Sequence, residues 1–102
     1  MFYLNEKNLD STLSKHSGLS LLVFGAKWCG PCKALEPTLE KISKQHPDLI
    51  VGKIDVEESP GLANKYHVQC LPKLILMKNK EYIAEKTGAC SESQLKDFLK
   101  IS

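Results

Sequence analysis

Apolar positions along this chain fall into two kinds of pattern. Continuous runs rich in strand formers occur at Leu19 to Phe24, closed by Gly25, and at Leu49 to Val56. Runs this short, bounded by turn residues, predict buried strands. A third run, Leu74 to Met77, follows Pro72 and Lys73. Lys78, Asn79 and Lys80 then turn the chain into Tyr82 to Lys86, which predicts an antiparallel hairpin. A weaker strand is expected at Phe2 to Leu4. Between the strands the period changes. Leu35, Leu39 and Ile42 recur at i, i+4 and i+7 while Lys33, Glu36, Glu40, Lys41 and Lys44 take the other faces, the pattern of an amphipathic helix lying on a sheet. Pro37 lies inside it and removes one backbone hydrogen bond, so a kink is expected near residues 33 to 37. Ser91-Glu92-Ser93-Gln94 is a capping box, and Leu95, Phe98 and Leu99 continue it as a final amphipathic helix. Shorter helices near Asn8 to His16 and Pro60 to Tyr66 have a weaker apolar period. The order βαβαβαββα predicts an α/β fold, a central mixed sheet flanked by helices, with its early strands parallel and joined by right-handed crossovers.

Composition narrows the use of such a fold. With 102 residues, 42% of them hydrophobic, the chain makes one domain spanning 1–102. Fourteen basic residues against 12 acidic ones give a net charge of +2, and every basic residue is Lys. That excludes a nucleic-acid footprint, which needs clustered positive charge and arginine forks. The longest apolar run, Leu21 to Ala26, is far below the roughly 18 residues of a membrane span. Met1 to Lys15 carries acids and no apolar h-region, so no signal peptide is expected and the cytoplasm is the expected compartment.

The four cysteines stand at 29, 32, 70 and 90, and the first two form WCGPC at residues 28 to 32. The motif joins a predicted strand to a predicted helix, with Pro31 suited to the first helical position. Cys29 then faces free backbone N–H groups and the positive end of the helix dipole, which favour a thiolate and make it the expected nucleophile. Cys32, inside the first turn and expected to be the less exposed, is placed to attack a mixed disulfide on Cys29. Three other uses compete. A structural disulfide gains little from so short a loop. A zinc site needs four ligands, and Cys70 and Cys90 are single cysteines, not a second pair, so no metal is expected. A Cys–His hydrolase built on His16, His46 or His67 leaves Cys32 without a purpose.

The wider set of short motifs resembles the thioredoxin family. WCGPCK, ESPG at Glu58 to Gly61, KYHV at Lys65 to Val68, LP at Leu71 and Pro72, TGA at Thr87 to Ala89 and QLKDFL at Gln94 to Leu99 follow at matching intervals over nearly the whole chain. The resemblance implies the thioredoxin fold and a monomeric, cytoplasmic protein-disulfide reductase. Cys29 would attack and Cys32 resolve, with Trp28, Gly30 and Pro31 shaping the exposed rim. Leu71, Pro72 and Gly88 would belong to the surface where a substrate strand docks, Pro72 as the family's cis-proline. It further implies no bound cofactor. Electrons would come from NADPH through a flavin-dependent thioredoxin reductase and pass to protein disulfides, such as those of peroxiredoxin-type or reductase enzymes. Oxidases and isomerases of this kind usually carry His within the CxxC pair and act after export. A binding scaffold with incidental redox chemistry is the rival of another class, and would keep its activity without Cys29.

Several residues depart from the family pattern. Val23 stands where most members carry a buried Asp that is held to relay the resolving cysteine's proton. Lys53, the usual neighbour of that acid, is then expected to find another partner or to lose its proton more easily than a surface Lys, and Asp55 on the same strand face is a candidate partner. Lys53 and Asp55 are therefore the expected support for proton transfer. Gly25 replaces a common Trp and leaves Trp28 as the only one in the chain. Lys73, where Thr is usual, is expected as a solvated lysine beside the docking groove. Cys70 is either an accessory or regulatory thiol near the active-site surface or a small buried apolar side chain.

Overall fold

The computed structural model describes residues 1–101. Five strands form one sheet: β1 (Phe2–Leu4), β2 (Leu19–Gly25), β3 (Ile50–Asp55), β4 (Lys73–Lys78) and β5 (Glu81–Thr87), in the order β1-β3-β2-β4-β5. β1 and β2 run parallel to β3, whereas β4 pairs antiparallel with both β2 and β5. The predicted hairpin is present, turned by Asn79 and Lys80, both at positive φ. Four helices connect and cover the strands: α1 (Leu9–Ser14), α2 (Gly30–Gln45), α3 (Pro60–Lys65) and α4 (Glu92–Leu99). α2 continues unbroken through Pro37, which is exposed.

Side chains alternate across the sheet because strand residues point to opposite faces. On one face Leu21, Val23, Val51 and Leu74 pack against Leu35, Leu39 and Ile42 of α2 and Leu95 and Leu99 of α4. On the other, Leu22, Phe24, Ile54 and Ile75 meet Leu9 and Leu13 of α1 and Leu62 of α3. The result is the three-layer α/β/α arrangement that the sequence pattern predicts. α2 and α4 are joined at the surface by Lys41, whose ammonium lies 2.9 Å from Glu92. The capping box closes as expected. The Ser91 hydroxyl accepts the Gln94 N–H at 3.1 Å, and the Gln94 side-chain oxygen accepts the Ser91 N–H at 2.9 Å. Gly52 is required by close packing, since a Cβ there would collide with the Leu4 side chain of β1.

Two features of this frame place the site. β2 ends at Gly25 in the middle of the sheet, and α2 begins five residues later over the same edge. The loop between them therefore presents WCGPC at the end of the central strands, the usual location of sites in open α/β sheets.

Candidate functional site

Cys29 is the N-cap residue of α2, and it and Cys32 are joined in a disulfide with their Cα atoms 5.3 Å apart. The helix starts at Gly30, so Pro31 occupies its second position, one further in than the sequence suggests. It still lies in the first turn, where its missing N–H forfeits no intrahelical bond. The Cys29 sulfur accepts the backbone N–H of Cys32 at 3.2 Å. Once the disulfide is opened, this contact and the helix dipole both favour negative charge on Cys29.

The two cysteines line different hollows. Cys29 contributes to a shallow, mostly apolar groove with Trp28, Gly30, Pro31, Val68 and Leu71, and Trp28 is 69% exposed beside it. Cys32 lines a cavity of about 390 Å³ on the α2 side of the sheet, together with Val23, Gly25, Glu36 and Lys53. Exposure reverses the sequence expectation. Cys29 is only 4% exposed, whereas Cys32 is half-buried. The cause is the missing side chain at Gly25. A Cβ built there would stand 3.2 Å from the Cys32 sulfur and 3.3 Å from its Cβ, so any larger residue would cover this flank.

The residues expected to dock a substrate separate into two groups. Trp28, Gly30, Pro31 and Leu71 line the groove directly. Pro72 is buried, its peptide bond with Leu71 is cis, and its carbonyl accepts the Gly88 N–H at 2.8 Å. Gly88 has φ +92°, a conformation that side chains resist, so the glycine is needed for this contact. Val56 and Gln69 also line the groove and went unrecognised in the sequence, because nothing local distinguishes them from other loop residues.

Lys53 finds an acid, and it is not Asp55. Val23 and Lys53 are register partners on neighbouring strands, and the Lys53 ammonium reaches across to donate to Glu36 Oε1 of α2 at 2.8 Å. It also lies 5.5 Å from the centre of the Tyr3 ring. Asp55, at the end of β3, instead accepts the backbone N–H groups of Glu57 and Glu58 at 2.8 and 3.2 Å. Capping that turn holds its carboxylate away from Lys53. Glu36 is thus the residue the sequence reading missed, although its place four residues after Cys32 puts both on one helix face.

Lys73 is likewise not a solvated lysine. Only 6% exposed, it donates to the carbonyls of Tyr66 and His67 at 3.3 Å each and pairs with Glu85 at 3.2 Å. It ties the loop that ends in Pro72 to the β4–β5 hairpin. Hydrogen bonds from Tyr82 and Lys73, with the charges of Lys73 and His67, hold the Glu85 carboxyl below the usual carboxylate range. Cys70 is exposed, which excludes the buried apolar reading, while Cys90 is half-buried and its thiol is pushed up by that burial. Among the described residues, no group of three or more His, Cys, Asp or Glu is placed to hold a metal ion, and no helix is long and apolar enough to cross a membrane.

Comparison with known proteins bears directly on this arrangement. A family model described as "Thioredoxin" matches residues 1–101. A thioredoxin of Buchnera aphidicola subsp. Acyrthosiphon pisum is 41% identical over 97 residues, covering 94% of this chain and 90% of that one. The thioredoxin of Buchnera aphidicola subsp. Baizongia pistaciae is 48% identical over 82 residues, 79% of this chain and 75% of its own. Among solved structures, a mutant thioredoxin from Halobacterium salinarum superposes with a TM-score of 0.89 at 38% identity, over 97% of this chain and 87% of the other. Fasciola hepatica thioredoxin gives 0.91 at 27% identity, over 98% and 97%. With the disulfide seated at a helix N-terminus and these matches extending from end to end, the chain belongs to the thioredoxin family and is a thiol–disulfide oxidoreductase that works by dithiol exchange at Cys29 and Cys32.

Proposed function

We propose that Cys29 is the attacking thiolate and Cys32 the resolving thiol in the reduction of protein disulfides. The observation that carries this assignment is the N-cap geometry: the Cys29 sulfur takes the Cys32 N–H at 3.2 Å, and Cys29 lines the apolar groove. Cys29 attacks one sulfur of a substrate disulfide, forming a mixed disulfide and releasing the other sulfur as a thiolate. Cys32 then loses its proton and attacks Cys29, which closes the Cys29–Cys32 bond and expels the second substrate thiolate. Two electrons pass to the substrate in all.

A substrate strand lies in the groove between Trp28, Gly30 and Pro31 on one side and Leu71 on the other, beside the Pro72 and Gly88 backbone. The apolar rim buries its side chains, and the free edge of the loop offers backbone hydrogen bonds. The oxidised protein is returned to the dithiol by a thioredoxin reductase drawing on NADPH, so it needs no bound cofactor of its own. It acts as a monomer in the cytoplasm on disulfides such as those of peroxiredoxin-type and reductase enzymes. The test is insulin-disulfide reduction driven by NADPH and a thioredoxin reductase, run on wild type and Cys29→Ser. Turnover that depends on Cys29 is expected; equal rates for the two proteins would remove the proposal.

A further inference from the structure

Resolution of the mixed disulfide requires the Cys32 thiol to give up a proton as its sulfur attacks Cys29. The strand beneath offers nothing to receive it, because Val23, 5% exposed, is apolar and packed against α2. The cavity on the same side does offer an acceptor. Glu36 lines it with Cys32, and residues four apart on a helix are surface neighbours. Its Oε1 is held by Lys53 at 2.8 Å, and among the described residues no hydrogen bond reaches its Oε2.

The other charged or titratable groups around this cavity are less suited. Tyr3 and Lys27, Lys33 and Lys53 offer no carboxylate; Lys53 carries the proton that fixes Glu36. Asp55 is engaged by two backbone N–H groups, and Glu58 stands at the open surface, 3.8 Å from Lys27. A cavity of about 390 Å³ has room for several water molecules, each taking roughly 30 Å³ of liquid volume.

Resting on the roles assigned to Cys29 and Cys32 above, we infer that Glu36 accepts the Cys32 proton through water in this cavity, with Lys53 as the positioning residue that orients its carboxylate. The proton leaves Cys32, crosses the water and neutralises Glu36. The Cys32 sulfur bonds to Cys29, and the substrate sulfur departs as a thiolate that is protonated by solvent. Glu36 then returns its proton to bulk water through the open side of the cavity. The carboxylate thus reaches the resolving thiol from α2, not from the sheet.

Single-turnover kinetics separate the two steps. Attack is followed through Trp28 fluorescence with a peptide disulfide in a Cys32→Ser background, and resolution is followed in the protein retaining both cysteines. Glu36→Gln should slow resolution about tenfold near neutral pH, less than the roughly 10²–10⁴-fold of a general base in a closed site, because water itself has access. It should also move the pH of half-maximal resolution upward, while Glu36→Asp recovers part of the rate. Attack by Cys29 should change less than about twofold. A Glu36→Gln protein with the wild-type rate and pH profile of resolution overturns the inference, as does equal slowing of both steps, which marks a merely structural role. If Cys29→Ser traps the peptide on Cys32 while Cys32→Ser traps none on Cys29, the assignment of roles fails, and the inference with it.

Discussion

Replacing Lys73 with Met tests whether a buried ammonium at the base of the loop that ends in Pro72 is a structural clamp. Met keeps much of the aliphatic volume and removes the charge. Two carbonyls, those of Tyr66 and His67, lose a charged donor that now stands 3.3 Å from each. Hydrogen bonds to charged groups contribute about 1.5–3 kcal/mol each, and these are long, so about 1 kcal/mol apiece is the reasonable figure and about 2 kcal/mol the total loss. For a domain of this size that corresponds to a fall in Tm of roughly 8–16 °C. The assay is thermal and urea unfolding of the oxidised protein, monitored by circular dichroism. The difference also depends on pH. Glu85 has its carboxyl lowered in the folded state by Tyr82 and then Lys73, so its contribution is fully present above the ordinary carboxylate range and fades as pH falls through the lowered folded value. The gap between wild type and Lys73→Met should therefore narrow in acid. A loss well under 1 kcal/mol at neutral pH, with no narrowing in acid, would refute the clamp.

Other consequences follow from particular contacts. Gly52→Ala should destabilise the protein by about 1–3 kcal/mol, the usual cost of overpacking, because the new methyl meets Leu4 on β1; chemical denaturation measures it, and no change would mean that β1 yields freely. In the oxidised protein Cys70 should be alkylated by iodoacetamide well before Cys90, since it is exposed while burial raises the Cys90 thiol; mass spectrometry of timed samples would contradict this if Cys90 reacted first. Val23→Asp puts a carboxylate beside Lys53, its register partner, in competition with Glu36, so the pH profile of disulfide reduction should shift. An unchanged profile would show that the residue at 23 has no part in proton transfer.

The features that could be read from the sequence are those decided by neighbours along the chain. The apolar runs of β2, β3 and β4, the spacing of Leu35, Leu39 and Ile42, and the Ser91–Gln94 box are local patterns, and each produced its element. WCGPC between a strand and a helix fixed Cys29 at an N-cap for the same reason. What escaped depends on which residues meet in space. Whether Lys53 turns to Asp55 or Glu36 is decided by a backbone turn that claims Asp55 and by the packing of α2 that brings Glu36 within 2.8 Å of Lys53. Lys73 is buried because the loop after α3 directs two carbonyls at it, with His67 at φ 54°, and nothing near Lys73 in the sequence announces this. The greater exposure of Cys32 is set by a side chain that is absent, at Gly25. There the departure from the family pattern was visible, but its effect required knowing that position 25 touches Cys32.

The proposed roles have Cys29 meeting the substrate and Cys32 resolving it, even though Cys32 is the more open of the two to the cavity behind. Trapping distinguishes these roles directly. The reduced Cys32→Ser and Cys29→Ser proteins are each mixed with a protein disulfide, and the covalent adducts are mapped by mass spectrometry. Cys32→Ser should accumulate a stable mixed disulfide through Cys29, and Cys29→Ser should form little; abundant adduct through Cys32 in Cys29→Ser, with none through Cys29 in Cys32→Ser, would reverse the assignment.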